Sequence, residues 1–213
     1  MYKLILLGAP GAGKGTQAEI LSDTLGIPII STGNILKQAI REGTPLGLEA
    51  VSYMNEGKLV PDATIIGILK DRLSNPDCEN GYILDGVPRT EVQADALHEM
   101  GVEVTNVISL EVPDEMIEAR MTGRVICSVC GSSFHLITKK PEREGVCDRC
   151  GGVLVTRKDD NPETVRTRLL TYHETTEPLK DYYAERGLLV LVDGTGEVRD
   201  ITDRILSALR IKV

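Results

Sequence analysis

The chain of 213 residues is 26% charged and 41% hydrophobic, enough to build one large domain with insertions, or two, and not the balance of a disordered protein. A net charge of −8 argues against general affinity for nucleic acid or anionic membrane, so any anion site must be a local concentration of lysine and arginine. No apolar run approaches membrane-spanning length and the first is too short for a signal peptide, so we expect a cytoplasmic protein without a membrane partner.

Lys3-Leu4-Ile5-Leu6-Leu7 predicts a strand, and Gly8-Ala9-Pro10-Gly11-Ala12-Gly13-Lys14-Gly15-Thr16 a glycine-rich turn. A helix follows, with Ala18, Leu21 and Leu25 on one face and Gly26 at its end. In that order, Gly11, Ala12, Gly13, Lys14, Gly15 and Thr16 form a phosphate cradle. Backbone N–H groups converge on an anion, the helix offers its positive end, and Lys14 adds a point charge. The general pattern puts Ser or Thr directly after the lysine, but here Gly15 intervenes before Thr16, whose hydroxyl can join a Mg²⁺ shell. The alternative is an ordinary glycine turn; the flanking strand and helix favour a nucleoside triphosphate.

Ile27-Pro28-Ile29-Ile30 predicts a second strand, and Ser31-Thr32-Gly33 caps a helix carrying Ile35, Leu36, Ala39 and Ile40. Gly43-Thr44-Pro45 breaks it, and another helix runs to about Asn55. Together 31–60 reads as an inserted substrate-holding unit. Pro61-Asp62 opens a helix with Ile65, Ile66, Leu69 and Leu73 on its buried side; the lone Cys78 reads as a buried small hydrophobe. Gly81-Tyr82-Ile83-Leu84-Asp85 is a strand ending in an acid, placed to hold Mg²⁺ or, in the alternative, to cap a turn. Gly86-Val87-Pro88-Arg89-Thr90, a helix with Gln93 and Asp95, a strand over Val104 to Val112, and a helix capped by Asp114 and ending at Arg120, Gly123 and Arg124 follow.

Cys127, Cys130, Cys147 and Cys150 stand in C-x2-C-x16-C-x2-C spacing, which reads as a structural Zn²⁺ ribbon; two disulfides are the alternative. With four protein ligands the ion keeps no open position and cannot be the catalyst. Pro162 opens a helix carrying Arg166 and Arg168, and His173 reads as surface or structural. Leu188 to Val192 is a last strand, and Ile201, Ile205, Leu206 and Leu209 mark a closing helix.

Alternating strands and helices predict an α/β fold, a parallel sheet covered on both faces, with ligands at the carboxyl ends of the strands. Arg89, Arg120, Arg124, Arg157 and Arg168 come from three segments, two of them flanking the cysteine ribbon. Such a set can neutralise charge during phosphoryl transfer while a hinged ribbon excludes water. No Ser-His-Asp, Cys-His or paired-carboxylate pattern stands out, which fits an acceptor that is itself an ionised phosphate.

These residues resemble the long-form members of the adenylate kinase family, within the nucleoside monophosphate kinases, whose lid is a four-cysteine zinc ribbon, and the resemblance covers essentially the whole chain. Its carriers are Gly8 to Thr16, Ser31-Thr32-Gly33, Gly81 to Thr90, Gln93-Ala94-Asp95-Ala96 and the cysteines. The resemblance implies a five-stranded parallel P-loop core over 1–30, 61–126 and 161–213, a monophosphate-binding insertion over 31–60, and a zinc-ribbon lid over 127–160. It implies reversible transfer from MgATP to AMP giving two ADP; nothing in the sequence suggests an obligate oligomer, so we expect a monomer. Lys14, Arg89, Arg124, Arg157 and Arg168 would be catalytic, and Arg120 would stack on the ATP base. Thr32, Lys37, Gly86, Arg89, Gln93, Arg157 and Arg168 would hold AMP, Gln93 by reading its adenine edge. Asp85 would organise Mg²⁺, and Asp159 and Asp160 would orient the lid arginines.

Three positions depart from the family pattern: in Ser-Thr-Gly-Asp-x-Leu-Arg, Asn34 and Lys37 replace the acid and the arginine, and in the 81–90 motif Val87 stands where Phe is usual, removing an aromatic wall near the acceptor. Another monophosphate acceptor, GTP as donor, a P-loop switch and a zinc-ribbon binding module remain as alternatives.

Overall fold

The computed structural model describes residues 1–156 and 160–211. Among them, β1 (Tyr2–Gly8), β2 (Ile29–Ser31), β3 (Gly81–Asp85), β4 (Asn106–Glu111) and β8 (Leu189–Asp193) form one parallel sheet in the order β2-β3-β1-β4-β8. The antiparallel strands β5 (Arg124–Cys127), β6 (Ser133–His135) and β7 (Leu154–Thr156) make a second sheet in the order β6-β5-β7.

Strand β1 shows why helices must cover both faces of the larger sheet: Leu4, Ile5, Leu6 and Leu7 are all buried, the unbroken apolar run of a central parallel strand. Alternate side chains go to opposite faces. Leu4 and Leu6 pack with Ala18 and Leu21 of α1 (Lys14–Leu25), Ile117 of α6 (Asp114–Thr122), Leu169 of α7 (Pro162–Thr171) and Ile205 of α9 (Val198–Ala208). Ile5 and Leu7 pack with Leu36 of α2 (Thr32–Glu42), Ala50 of α3 (Pro45–Asn55), Leu69 of α4 (Asp62–Leu73), Leu97 of α5 (Glu91–Glu99) and Tyr183 of α8 (Leu179–Ala184).

The predicted helices and strands are present, with differences of physical origin. Ser31 is the N-cap of α2 but makes no side-chain capping bond. Asp114 does not cap α6: Pro113 is the N-cap, and the Asp114 carboxylate meets His173 instead. Helix α8 was not foreseen, because Pro178 and the short run Leu179-Lys180-Asp181-Tyr182-Tyr183-Ala184 give too few turns for periodicity to declare itself. Helix α7 runs on into a wider π turn over Tyr172–Thr176, a feature common at functional sites. His173 is structural as expected: its ring nitrogens pair with Glu177 at 2.7 Å and Asp114 at 3.0 Å, and these bonds raise its pKa. Cys78 is buried as expected, and burial pushes its thiol pKa up. No helix among the described residues is long and apolar enough to cross a membrane.

Candidate active site

The chain leaves β1 for β2 and β3 on one side, then crosses to β4 and β8 on the other, so a crevice opens at the carboxyl end of β1. A cleft of about 930 Å³ lies there, lined by the 10–16 loop, Asp85, Gly86, Arg89, Lys37, Arg120, Arg124 and Arg168, and roofed by ribbon residues. The glycines fit for steric reasons. Gly11 has φ +85°, and a Cβ there would stand 2.7 Å from Met121 Cγ, so a larger residue would push the loop off α6. Gly13 at φ +104° precedes the first residue of α1, aiming that helix's free N–H groups into the loop.

Lys14 is half-buried and donates to the carbonyls of Gly8 at 2.6 Å and Ala9 at 2.8 Å. Burial of its ammonium pulls its pKa down to about 7; Asp85 opposes this, while Arg89, Arg168 and Arg124 add to it. Four cationic side chains from separate elements thus share one field, an arrangement that asks for an anion. Asp160, fully buried at its carboxylate, joins two of them. It accepts from Arg124 Nε at 2.7 Å and from a second Arg124 nitrogen, and from Arg168 at 3.3 Å, linking β5 to α7. The expected role of Asp160 toward the arginines therefore has a direct geometric counterpart. Arg157 and Asp159 lie outside the described residues.

Arg120 reaches across the loop, donating to Ala12 O at 3.3 Å and Gly194 O at 2.9 Å. Arg89 donates from Nε to Gly86 O at 2.8 Å, and its own carbonyl accepts from Thr176 of the π turn at 2.9 Å. Gln93 is buried behind this turn rather than lining the cleft: its amide oxygen accepts the Arg89 N–H at 2.8 Å and its nitrogen donates to Asp62 at 2.7 Å. Thr32 is also buried outside the lining. The expected gap at Val87 needs correcting. Its side chain is wholly buried in the core with Leu36, Leu84 and Ala94, so exchanging it for an aromatic would alter packing beneath the cleft rather than its wall.

The sequence reading missed Phe134, His135, Gly196, Glu197 and Val198, which line the cleft. His135 Nδ1 accepts from the N–H groups of Ile137 at 3.1 Å and Thr138 at 3.2 Å, so the neutral ring carries its proton on Nε2. Among the described residues that Nε2 is buried without a hydrogen-bond partner. Only its place in β6, at the cleft wall, marks it; no spacing in the sequence does.

The ribbon sheet begins at Arg124, ahead of the first cysteine. The four Sγ atoms lie within 4.8 Å of one another, with Cys127 and Cys150 at 3.4 Å and Cys130 and Cys147 at 3.6 Å. A tetrahedron with metal–sulfur bonds of about 2.3 Å has edges of about 3.8 Å. The sulfurs are too far apart for disulfides, which need about 2.05 Å, so that alternative falls. The N–H groups of Val129 and Cys130 point at Cys127 Sγ at 3.4 and 3.5 Å, favouring the thiolate a metal requires. Among the described residues the ribbon's own core is Val125, Cys127, Phe134 and Cys147, with Leu154 against it. Stripping a bound metal should therefore speed amide exchange across 124–156 by about tenfold or more while β1 amides keep their protection. Unchanged exchange in the ribbon would refute a stabilising metal.

No nucleophile–base pair stands among the described lining residues, whereas cations crowd the space above Lys14. The fold and cleft define a P-loop phosphotransferase, built to hold anionic groups in line rather than to attack covalently. The comparisons make this particular. The family model described as Adenylate kinase matches residues 6–188. The chain is 55% identical to an adenylate kinase of Caldicellulosiruptor bescii, over 99% of this chain and 100% of that one. It is 51% identical to an adenylate kinase of Methanosarcina acetivorans, over 98% of each. It is 49% identical to one from Syntrophobacter fumaroxidans, over 97% of this chain and 99% of that one. The chain belongs to the adenylate kinase family.

Proposed function

We propose that this member of the adenylate kinase family transfers the terminal phosphoryl group of ATP reversibly to AMP, giving two ADP, through positioning and charge neutralisation alone. The observation that carries the reading is the field shared by Lys14, Arg89, Arg124 and Arg168, with Asp160 holding two of the guanidinium groups in place. Phosphoryl transfer spreads negative charge over equatorial oxygens, and a pre-set cationic cage stabilises it without reorganising.

On the donor side, the backbone of Gly11, Ala12, Gly13, Lys14, Gly15 and Thr16 would cradle the ATP phosphates, and Arg120 would lie flat against the base. The His135 Nε2–H, buried without a partner among the described residues, would donate to the same nucleotide. Asp85, with a carboxylate oxygen 3.8 Å from where a Gly15 side chain would begin, and Thr16 would hold Mg²⁺, which offsets phosphate charge when bound. On the acceptor side, Lys37, Gly86, Arg89, Arg157 and Arg168 would take the AMP phosphate. Thr32, and the second N–H of the Gln93 amide, would face the base as the insertion closes. The acceptor phosphate is already ionised, so no general base is needed. The four cysteines would hold a structural Zn²⁺. A cytoplasmic monomer with no nucleic-acid or membrane partner completes the reading, supported by the net charge of −8 and by both substrate ends coming from one chain.

Purified protein given ATP, AMP and Mg²⁺ should form ADP, faster than with UMP, CMP or GMP as acceptor or GTP as donor. A probe of two adenosines joined through five phosphates should bind far more tightly than ATP. Turnover only with another acceptor, or no gain from the joined probe, would overturn the assignment. Lys37 carries one point charge where the family arginine has a two-pronged fork. Lys37→Arg should therefore lower the KM for AMP several-fold, about the worth of one added hydrogen bond, with the KM for ATP unchanged. An equal or higher KM for AMP would contradict it.

A further inference from the structure

The cysteine ribbon touches α2 directly. Arg41, in the last turn of α2, donates from its guanidinium to the Ser128 carbonyl at 3.0 Å. Ser128 lies inside the first cysteine knuckle, and the whole turn is fixed by backbone bonds. Gly131 N donates to Cys127 O at 3.1 Å, Cys127 N to Ser132 O at 2.9 Å, and Ser128 N to Val153 O at 2.9 Å. Beside this bond Gly131, at φ +77°, turns its open side to Asn34, whose amide lies 3.8 Å from where a side chain would begin. The direction of the Ser128 carbonyl therefore depends on the knuckle that the Cys127 and Cys130 sulfurs close.

We infer that Arg41 is a positioning residue that latches the acceptor insertion to the first cysteine knuckle, so that metal loading of the ribbon sets the affinity for the acceptor monophosphate. The idea rests on the proposed function and adds to it: the metal does more than stiffen the cover. An ordered knuckle offers a carbonyl at fixed height, and α2 docks under it as the cleft closes. A loosened knuckle turns that carbonyl away, and α2, which also carries Lys37, loses its closed position. The donor loop is anchored to the core sheet and stays indifferent.

The decisive measurement is a double-mutant cycle with metal removal as one arm. Arg41→Ala, Arg41→Lys and the unaltered protein are each compared with metal loaded and after chelation, reading KM for AMP, KM for ATP and kcat. Amide exchange over 34–42 in the complex with the five-phosphate joined probe is the readout independent of turnover. With metal, Arg41→Ala should raise the KM for AMP about three- to tenfold, as for one lost charge-assisted hydrogen bond, with the KM for ATP within about twofold. Arg41→Lys should recover part of the loss, and Arg41→Ala should speed exchange over 34–42 in the complex. Chelation should raise the KM for AMP in the unaltered protein but hardly further in Arg41→Ala. Fully additive effects would show that Arg41 holds the acceptor on its own account and would overturn the latch, as would an unchanged KM for AMP in Arg41→Ala. Should the unaltered protein fail to turn over ATP and AMP at all, the functional assignment falls; turnover with no cycle coupling removes the latch alone.

Discussion

Lys14→Met is expected to cut kcat about a hundred- to a thousandfold, the range for removing one pre-set charge donor from the atoms that gain charge in the transition state. Met keeps the length of the side chain and, although the ammonium's bonds to the Gly8 and Ala9 carbonyls are lost, the turn made by Gly11 and Gly13 remains, so the effect should fall on turnover more than on folding. Retention of more than about a tenth of kcat would remove Lys14 from the chemistry. The pH dependence gives a second test. Without ligand, burial and three arginines hold Lys14 at about 7 instead of the ordinary 10.5. Below that value the side chain is charged, and above it the proton is lost. Phosphates beside it favour the charged form, so binding above pH 7 must take up a proton. ATP affinity should fall as pH rises from about 7.5 to 9, by at most tenfold per unit, and calorimetry in buffers of different ionisation enthalpy should show the uptake. Lys14→Met should flatten that slope. Equal slopes in both proteins would sink the argument.

Asp160→Asn should lower kcat by about ten- to a hundredfold with little change in secondary structure. The carboxylate is fully shielded and receives two nitrogens of Arg124 and one of Arg168. An amide of the same shape presents one oxygen and one NH2 group that can only donate, so it cannot hold both guanidinium groups and, being neutral, no longer offsets their charges. Misplacement of that order at a reacting centre costs about a hundredfold without removing any group that touches substrate. The joined five-phosphate probe should bind more weakly to the variant, whereas metal content should be unaffected. A kcat within about twofold of the unaltered protein would show that the phosphates alone orient these arginines.

Much of the chemistry lies in local patterns. The phosphate loop is contiguous, Asp85 ends an apolar strand, and the cysteines announce by spacing a cluster that could hold a metal. These features read directly because neighbours in the chain are neighbours in space. Gln93 and Val87 show the opposite case. Each sits in a motif whose neighbours face the cleft, yet Gln93 braces the Arg89 turn through Asp62, and Val87 fills the core. Whether a residue in such a loop points out or in depends on a partner far along the chain. Asp62, Thr176 and Gly194 were invisible for the same reason: each acts across a contact that only the packed molecule makes.

By itself the amino-acid order determined the layered parallel sheet, the anion cradle and the cysteine cluster, because each follows from a short-range period or spacing. Only the tertiary structure decided which arginines share a carboxylate, why the Lys14 ammonium is held near neutrality, and that α2 meets the cysteine knuckle through Arg41 and Ser128. Those outcomes depend on burial and on distances between segments far apart in the chain. Charge density and desolvation belong to the assembled cleft, and no stretch of the chain carries them alone.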